Sequence, residues 1–537
     1  MLEWIKSPGS GPEDPMRSPA SASAMLAQLR ESDPVTTLGE LRGWLASLGN
    51  APDFEERPRS EVLGLIQEAG AAHLAKLLRQ YLADTGENQV LRATKWKAMF
   101  AYAASLAEVQ CASAERLQAL TRTDPSALGA AAVGAVRGIR ASRMLAKLCL
   151  IHYIDAPPSL WKHAYSVHAG AEAHGCANIA VHPHRSERIS TTATQDLLRL
   201  LLVHVAAPET LASEQIEIAD RVAEQIGEDF ALRPRSAADN PFCFDPDGEH
   251  PPQRATPESQ TTAARYFGPG VGLDALTRLH KQMSGSDDKD ASVFGKDIAS
   301  HAQLATIEHL LRIWGPTPPR AAPVHSPAKG ELLVVHGYAG VHKHLSAGDA
   351  KASASRGLEL ASDDDLQPQT PEAWTIHDAG GSEVGAEMPQ PDANWARSGM
   401  LVTFSVSGRN EWWLGMIRRT HADIDKSTHV DIQLISRKPT AVPLRPQATG
   451  SPGGAEWKAS AGTFAFVNVN AILLPDASQT GGTPHLLLPP ESWKEGRVYE
   501  AMLEEGKRDL KLVRVLQRGE DFVRAAFEWL PVAESNA

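Results

Sequence analysis

His152, His163, His168, His174, His182 and His184 crowd one short stretch of the chain. Imidazole is the commonest metal ligand, and such a cluster would suit a metal-dependent hydrolase. The spacing argues against it. There is no HExxH, and no acid stands at ligand spacing with two histidines on one helical face. His163 and His168 are five residues apart, which turns them about 140° around a helix. Packed or solvent-facing helix histidines are the plainer reading, and His182-Pro183-His184-Arg185 reads as loop. Cys111, Cys149, Cys176 and Cys243 are scattered and form no CxxC pair, so reduced, buried thiols are expected. No resident metal or cofactor is expected. The chain has no GxSxG elbow, no Walker A loop and no GxGxxG after a strand. Gly268-Pro269-Gly270-Val271-Gly272 lacks the lysine of a phosphate loop and reads as a turn. Asp363-Asp364-Asp365 lacks the alternating ligands of a calcium loop and reads as a solvated charge run. The absence of these motifs points away from an enzyme.

A second grouping is polar and glycine-rich: Trp374-Thr375-Ile376-His377-Asp378-Ala379-Gly380-Gly381-Ser382-Glu383-Val384-Gly385. Its carboxylate, hydroxyl and glycines would suit hydrogen bonding to a ligand where the backbone comes close. They suit a plain hairpin equally well, since Asp and Gly favour turns.

The elements that position these residues change character near Arg320. Before it, apolar residues recur at helical spacing. Leu38, Leu41, Leu45 and Leu48 set the pattern, which continues through 61–82, 91–120, 128–154, 159–174, 194–205 and 213–226. Two more helices are expected at 273–283 and 299–314. No 34-residue period recurs, so a closed bundle and an irregular solenoid-like array stay equally open. After Arg320, short β-rich runs alternate with turns. Strands are expected near 332–335, 374–378, 400–406, 412–420, 430–436 and 441–444, then across 463–529. The fold class is therefore multidomain, α then β. A helical bundle or array precedes an antiparallel β-barrel and a further small β segment.

The expected domains follow. Residues 1–32 form a disordered leader rich in Ser, Pro and Ala, with Met16 and Met25 as possible later starts. Residues 33–235 form a helical domain, 236–272 an irregular linker and 273–316 a helical segment. Residues 317–447 form the barrel, with a mobile insert at 345–370, and 460–531 form the C-terminal β segment. A net charge of −12 argues against nucleic-acid binding and against docking on an anionic membrane. No apolar run reaches the roughly 20 residues of a membrane span, and the N-terminus lacks a secretory h-region. A cytoplasmic location is expected.

The order of the second half resembles the barrel of PilZ-type cyclic-di-GMP receptors. The resemblance rests on Trp374–Gly385, Gly399-Met400-Leu401-Val402-Thr403-Phe404 and Trp412-Trp413-Leu414-Gly415-Met416-Ile417-Arg418-Arg419. The whole chain is similar to proteobacterial proteins with a helical N-terminal region and a PilZ-like C-terminal region. Leu38–Leu45 and Leu200–Pro208 carry that wider likeness. The family grips its ligand with an RxxxR stretch ahead of the barrel and a D/NxSxxG turn within it. Matched here, the resemblance implies Arg320, Asp378, Ser382 and Gly385 as ligand-binding residues. Both elements depart from the pattern: Arg320 has no second arginine, and Asp378 stands four residues before Ser382 instead of two. The implied function is a non-enzymatic signalling or adaptor protein. Its helical half would meet a protein partner, and its degenerate barrel would bind a cyclic dinucleotide weakly. The alternatives are the hydrolase above and a purely structural scaffold.

Overall fold

The computed structural model describes residues 15–29, 32–49, 51, 53–83, 89–256, 263–284, 294, 300–317, 326–350, 370–380, 383–389, 395–408, 411–422, 428–447, 457–460, 463–466, 468–475, 484–503 and 506–531. The chain divides into two compact units, Met1–Arg320 and Ala321–Ala537.

The first unit is built on helices α1 (Pro19–Ala27), α2 (Pro34–Gly49), α3 (Glu56–Ala83), α4 (Gln89–Leu120), α5 (Leu128–Ile151), α6 (Pro158–Ala173), α7 (Ala193–His204) and α8 (Ser213–Gln225). Strands β1 (Ala231–Arg233), β2 (Phe242–Phe244), β3 (Gln253–Arg254) and β4 (Arg265–Gly268) follow, then α9 (Gly272–Ser284) and α10 (Ser300–Trp314). One apolar core runs through the unit from Met16 to Trp314. The helices start where the chain supplies caps. Asp124 accepts a hydrogen bond from the Ser126 N–H ahead of α5, and Thr192 with Gln195 closes a capping box on α7. The Ala-rich face of α5 buries Ala131, Ala132 and Ala135 and makes its most extensive packing with α4. The same helix carries Arg140, Arg143 and Lys147 on a stripe that meets acids of α7 and α8. Arg140 Nε lies 3.0 Å from Asp196 Oδ1, and Lys147 Nζ lies 2.7 Å from Asp220 Oδ2 and 2.9 Å from Glu217 Oε2.

Two expectations for this half need correction. The leader holds α1, with Ala22 and Leu26 buried one helical turn apart and Met16 buried ahead of them. Small residues masked that i, i+4 pair in the composition. The linker at 236–272 holds most of a four-stranded sheet in the order β1-β4-β2-β3. Its strands are two to four residues long, too short for a period to register. Phe242 and Phe267 anchor it in the core.

The second unit contains two closed antiparallel barrels of six strands. The first uses β5 (Ser326–His336), β6 (Glu372–Gly380), β7 (Glu383–Met388), β8 (Leu401–Val406), β9 (Trp413–Ala422) and β10 (Thr428–Ser436), ordered β10-β7-β6-β5-β8-β9. Helix α11 (Tyr338–Ala350) leaves the end of β5. The second uses β11 (Thr440–Pro446), β14 (Val469–Leu474), β15 (His485–Leu488), β16 (Val498–Leu503), β17 (Gly506–Arg518) and β18 (Val523–Trp529), ordered β11-β14-β15-β18-β17-β16. Strands β12 (Trp457–Ser460) and β13 (Thr463–Phe466) pair as a separate hairpin. Period-2 alternation fills each interior, with Leu332, Trp374, Ile376, Phe404 and Ile432 in the first barrel and Leu444, Leu486, Tyr499, Leu512 and Phe527 in the second.

The boundary expected at residue 447 falls earlier. β11 pairs with β14 and β16, so it opens the second barrel instead of ending the first. The insert expected at 345–370 begins inside α11; residues 351–369 lie outside the described residues. The two barrels share an apolar joint of Tyr338, Val341, Leu345, Leu401, Leu414, Met416, Ile472, Leu474, Leu487 and Phe522. Asp521, from the β17–β18 turn, sits beside it. Its Oδ2 accepts from the Tyr338 N–H at 2.6 Å and its Oδ1 from the Leu401 N–H at 3.0 Å. Gly399, at φ +93°, presents its carbonyl to the Glu520 N–H at 2.8 Å, a backbone conformation that a side chain would strain.

Candidate functional site

The Asp378–Gly385 segment is an antiparallel hairpin made by β6 and β7. Asp378 pairs with Gly385, Ala379 with Val384 and Gly380 with Glu383. Ile376 pairs with Ala386 inside the barrel, and the register shifts between Ile376 and Asp378. His377 is therefore the extra residue of a β-bulge, so His377 and Asp378 both confront Gly385. His377 Nδ1 lies 3.2 Å from Asp378 Oδ2. A Cβ on Gly385 would collide with Asp378 Oδ1 and with the His377 ring. The glycine is thus required by its own hairpin, whose side chains cover the face through which a ligand would approach.

The outward row continues on both sides. Asp378 pairs with Pro327 of β5, and Gly385 pairs with Asp431 of β10, which pairs with Arg419 of β9. Arg419 Nη1 lies 3.7 Å from Asp431 Oδ2. A second bulge, between Asp431 and Ile432 in the β10–β9 ladder, leaves Arg418 and Arg419 both exposed. The next row pairs Glu387 with His429 and His429 with His421. This face therefore mixes three carboxylates with its arginines and histidines.

Of the four residues expected to bind ligand, Asp378 and Gly385 are brought into direct opposition. Arg320 and Ser382 lie outside the described residues. His377, Arg418, Arg419 and Asp431 lie on the same face without being among those four, because a bulge changes which residues share a face and leaves no periodic trace. A further signal stands later in the chain. Asp476-Ala477-Ser478-Gln479-Thr480-Gly481, between β14 and β15, has the uninterrupted D-x-S-x-x-G spacing that the first barrel lacks. Those six residues also lie outside the described residues. Arg437 and Lys438 stand just ahead of that barrel, with the Arg437 guanidinium 5.4 Å from the Trp413 ring centre. Arg514 and Arg518 have R-x-x-x-R spacing, but on strand β17.

The histidine-rich region has ordinary packing partners. His152 stacks on Trp96 with ring centres 3.9 Å apart and meets the Tyr81 hydroxyl at 3.1 Å; burial pushes its pKa down to about 4. His168 Nε2 lies 3.1 Å from Thr194 Oγ1, and His174 Nδ1 lies 2.8 Å from Thr121 Oγ1. Among the described residues, no group of three or more His, Cys, Asp or Glu is placed to hold a metal ion. All four cysteines are free and buried. No described helix is long and apolar enough to cross a membrane.

Comparison with curated proteins gives no match, and comparison with solved structures gives none. A family model does match: residues 20–236 of this chain, from α1 through β1, are similar to the family described as "Cyclic-di-GMP receptor FimW, N-terminal domain".

Proposed function

We propose that this chain is a non-enzymatic, cytoplasmic signalling protein of the cyclic-di-GMP receptor type. Its helical unit would engage a protein partner, and its β unit would sense the dinucleotide. The observation that carries this reading is the match of the helical region to a receptor's N-terminal domain, ahead of two closed six-stranded barrels. The first location for the ligand is the set Arg320, Asp378, Ser382 and Gly385, with Arg320 pairing to a phosphate and stacking on a base. Loss of the second arginine would cost roughly 1.5–3 kcal/mol, so binding there is expected to be micromolar or weaker.

A specific observation favours a second location. The Gly385 face is covered by Asp378 and His377 and bordered by carboxylates, which disfavours a dianion. The unbroken spacing at Asp476, Ser478 and Gly481 would supply the turn element in the second barrel, and Arg437 with Lys438 ahead of it would supply positive charge where the RxxxR stretch stands. Titration calorimetry of the full chain with cyclic-di-GMP decides between them. Arg320→Ala with Asp378→Ala weakens binding at least tenfold on the first reading; Asp476→Ala with Ser478→Ala does so on the second. No detectable binding by the wild-type chain would overturn the receptor reading itself.

A further inference from the structure

Residues 181–191, in the connection between α6 and α7, form a loop without a glycine that the helical unit pins at several points. Val181 and Thr191 close its base as an antiparallel bridge, each N–H donating to the other's carbonyl at 2.9 Å. Arg137 of α5 ties the loop to α3: its Nε donates to the Pro183 carbonyl at 2.7 Å and its Nη1 to the Ser60 carbonyl at 2.9 Å. Its guanidinium fills the space where a Cβ on Gly64 would stand, so α3 is shaped to admit it. Arg140, one turn further along α5, pairs with Glu187, and the Thr191 hydroxyl donates to the buried Asp196 carboxylate at 3.0 Å. The tip carried by these contacts has a different character. Arg185, Ser186, Arg188, Ile189 and Ser190 are exposed. Ile189, at 71%, is the most exposed large apolar side chain among the described residues. Among the described residues, neither Arg185 nor Arg188 makes a hydrogen bond or an ion pair.

A single exposed apolar residue is ordinary on a protein surface. A β-branched one on a pinned loop, beside two arginines without partners, is a preformed anchor. Isoleucine has few rotamers to lose and the loop is already ordered, so covering it costs little entropy. We infer that the tip at 185–189 is a docking element for an acidic protein segment. Ile189 packs against an apolar side chain of that segment, and Arg185 and Arg188 pair with carboxylates around it. Charge argues for an acidic partner. The net charge of −12 repels such a segment at long range. The tip reverses that repulsion locally: its one acid, Glu187, is taken by Arg140, and Glu61 and Glu68 of α3 act on Arg137 at the base. An acidic segment gains charge-assisted contacts here, while the anionic remainder of the chain helps to fix where it lands. The inference rests on the proposed reading that the helical unit engages a protein partner, and gives that partner a place and a chemistry.

The test selects peptides from a random library displayed on phage, with the full chain as bait. Selected sequences should place Asp and Glu around an apolar or aromatic residue. One of them, made synthetically and followed by fluorescence anisotropy, should bind about tenfold more weakly to Arg185→Glu with Arg188→Glu, and likewise to Ile189→Asp, each with an unchanged circular dichroism spectrum. Its affinity for the wild type should fall as salt rises. The same peptide with its acids changed to Lys should regain binding to the Arg185→Glu, Arg188→Glu double variant, which a merely disrupted tip would not allow. Peptides bound equally by the wild type and both variants, or a failure of that rescue, would overturn the docking tip and leave a partner surface elsewhere on the chain. Selection of no peptide at all would overturn the partner reading together with it. Sedimentation of the wild type, and not of the double variant, with phosphatidylglycerol vesicles, alongside no binding of acidic peptides, would overturn the protein segment in favour of a membrane.

Discussion

At the scale of single residues, Gly385 is the most constrained position in the candidate hairpin. Its missing side chain is the space that Asp378 and His377 occupy. Gly385→Ala should destabilise the β unit by about 1–3 kcal/mol, as overpacking does. Asp378→Ala alone should cost less, and the pair together should recover part of the loss. A double-mutant cycle in denaturant measures the coupling; strict additivity would mean that the two side chains do not compete for one space. The sequence made this glycine conspicuous but suggested room for a ligand. The bulge at His377 reverses that inference, and a bulge is one extra residue in a ladder, invisible without the partner strand. The buried stripe of α5 escaped for a related reason. Arg140, Arg143 and Lys147 find their partners in Asp196, Glu217 and Asp220, which are distant along the chain, so no local pattern announces the stripe. Lys147→Met would leave Asp220 and Glu217 underpartnered in the interior. It should cost about 3–5 kcal/mol in thermal or denaturant unfolding.

At the scale of elements, periodicity revealed the long helices, because many turns of one apolar stripe accumulate signal. It failed for the short elements. β7 carries Gly385 and Ala386 where strand formers would stand, and α11 mixes Gly, His and Lys with few apolar anchors. Yet α11 helps to join the two barrels, and its first turn depends on Asp521. Burial pushes the Asp521 carboxyl up to about 6 from an ordinary value near 3.8, against the two N–H groups that favour its charged form. The sign follows from proton linkage. The folded state holds this proton more tightly than the unfolded state, so the contribution is fully present below about pH 4 and fades as pH rises through 6. The joint should be weaker at pH 7.5 than at pH 5, by about 1–1.5 kcal/mol. Hydrogen exchange at Tyr338 and Leu401, corrected for intrinsic rates, should show lower protection at the higher pH. Asp521→Asn should flatten that difference and lower protection at both, since its amide can accept only one of the two N–H bonds.

At the scale of the whole molecule, charge decides how an anionic ligand arrives. With 53 Lys and Arg against 65 Asp and Glu, the formal net charge is −12, and its field repels a dianion at long range. Salt screens that repulsion beyond a Debye length of about 10 Å at 0.1 M. Local groups then set the sign of the remaining dependence. On the first barrel, Asp378, Asp431 and Glu387 surround the glycine, so the local field adds to the global one. Binding of cyclic-di-GMP there should strengthen, or its association quicken, as salt rises from 0.02 to 0.15 M. At the second location, Arg437 and Lys438 stand ahead of the barrel and oppose the global field locally. Binding there should weaken over the same range, because salt screens a short-range attraction that the remote acids offset only in part. Stopped-flow association of a fluorescent cyclic-di-GMP analogue across that range reads the sign directly. A falling rate that disappears in an Arg437→Gln, Lys438→Gln double variant would locate the encounter on the second barrel. A rising rate indifferent to that variant would place it away from that location, on a face whose charge shares the sign of the chain as a whole.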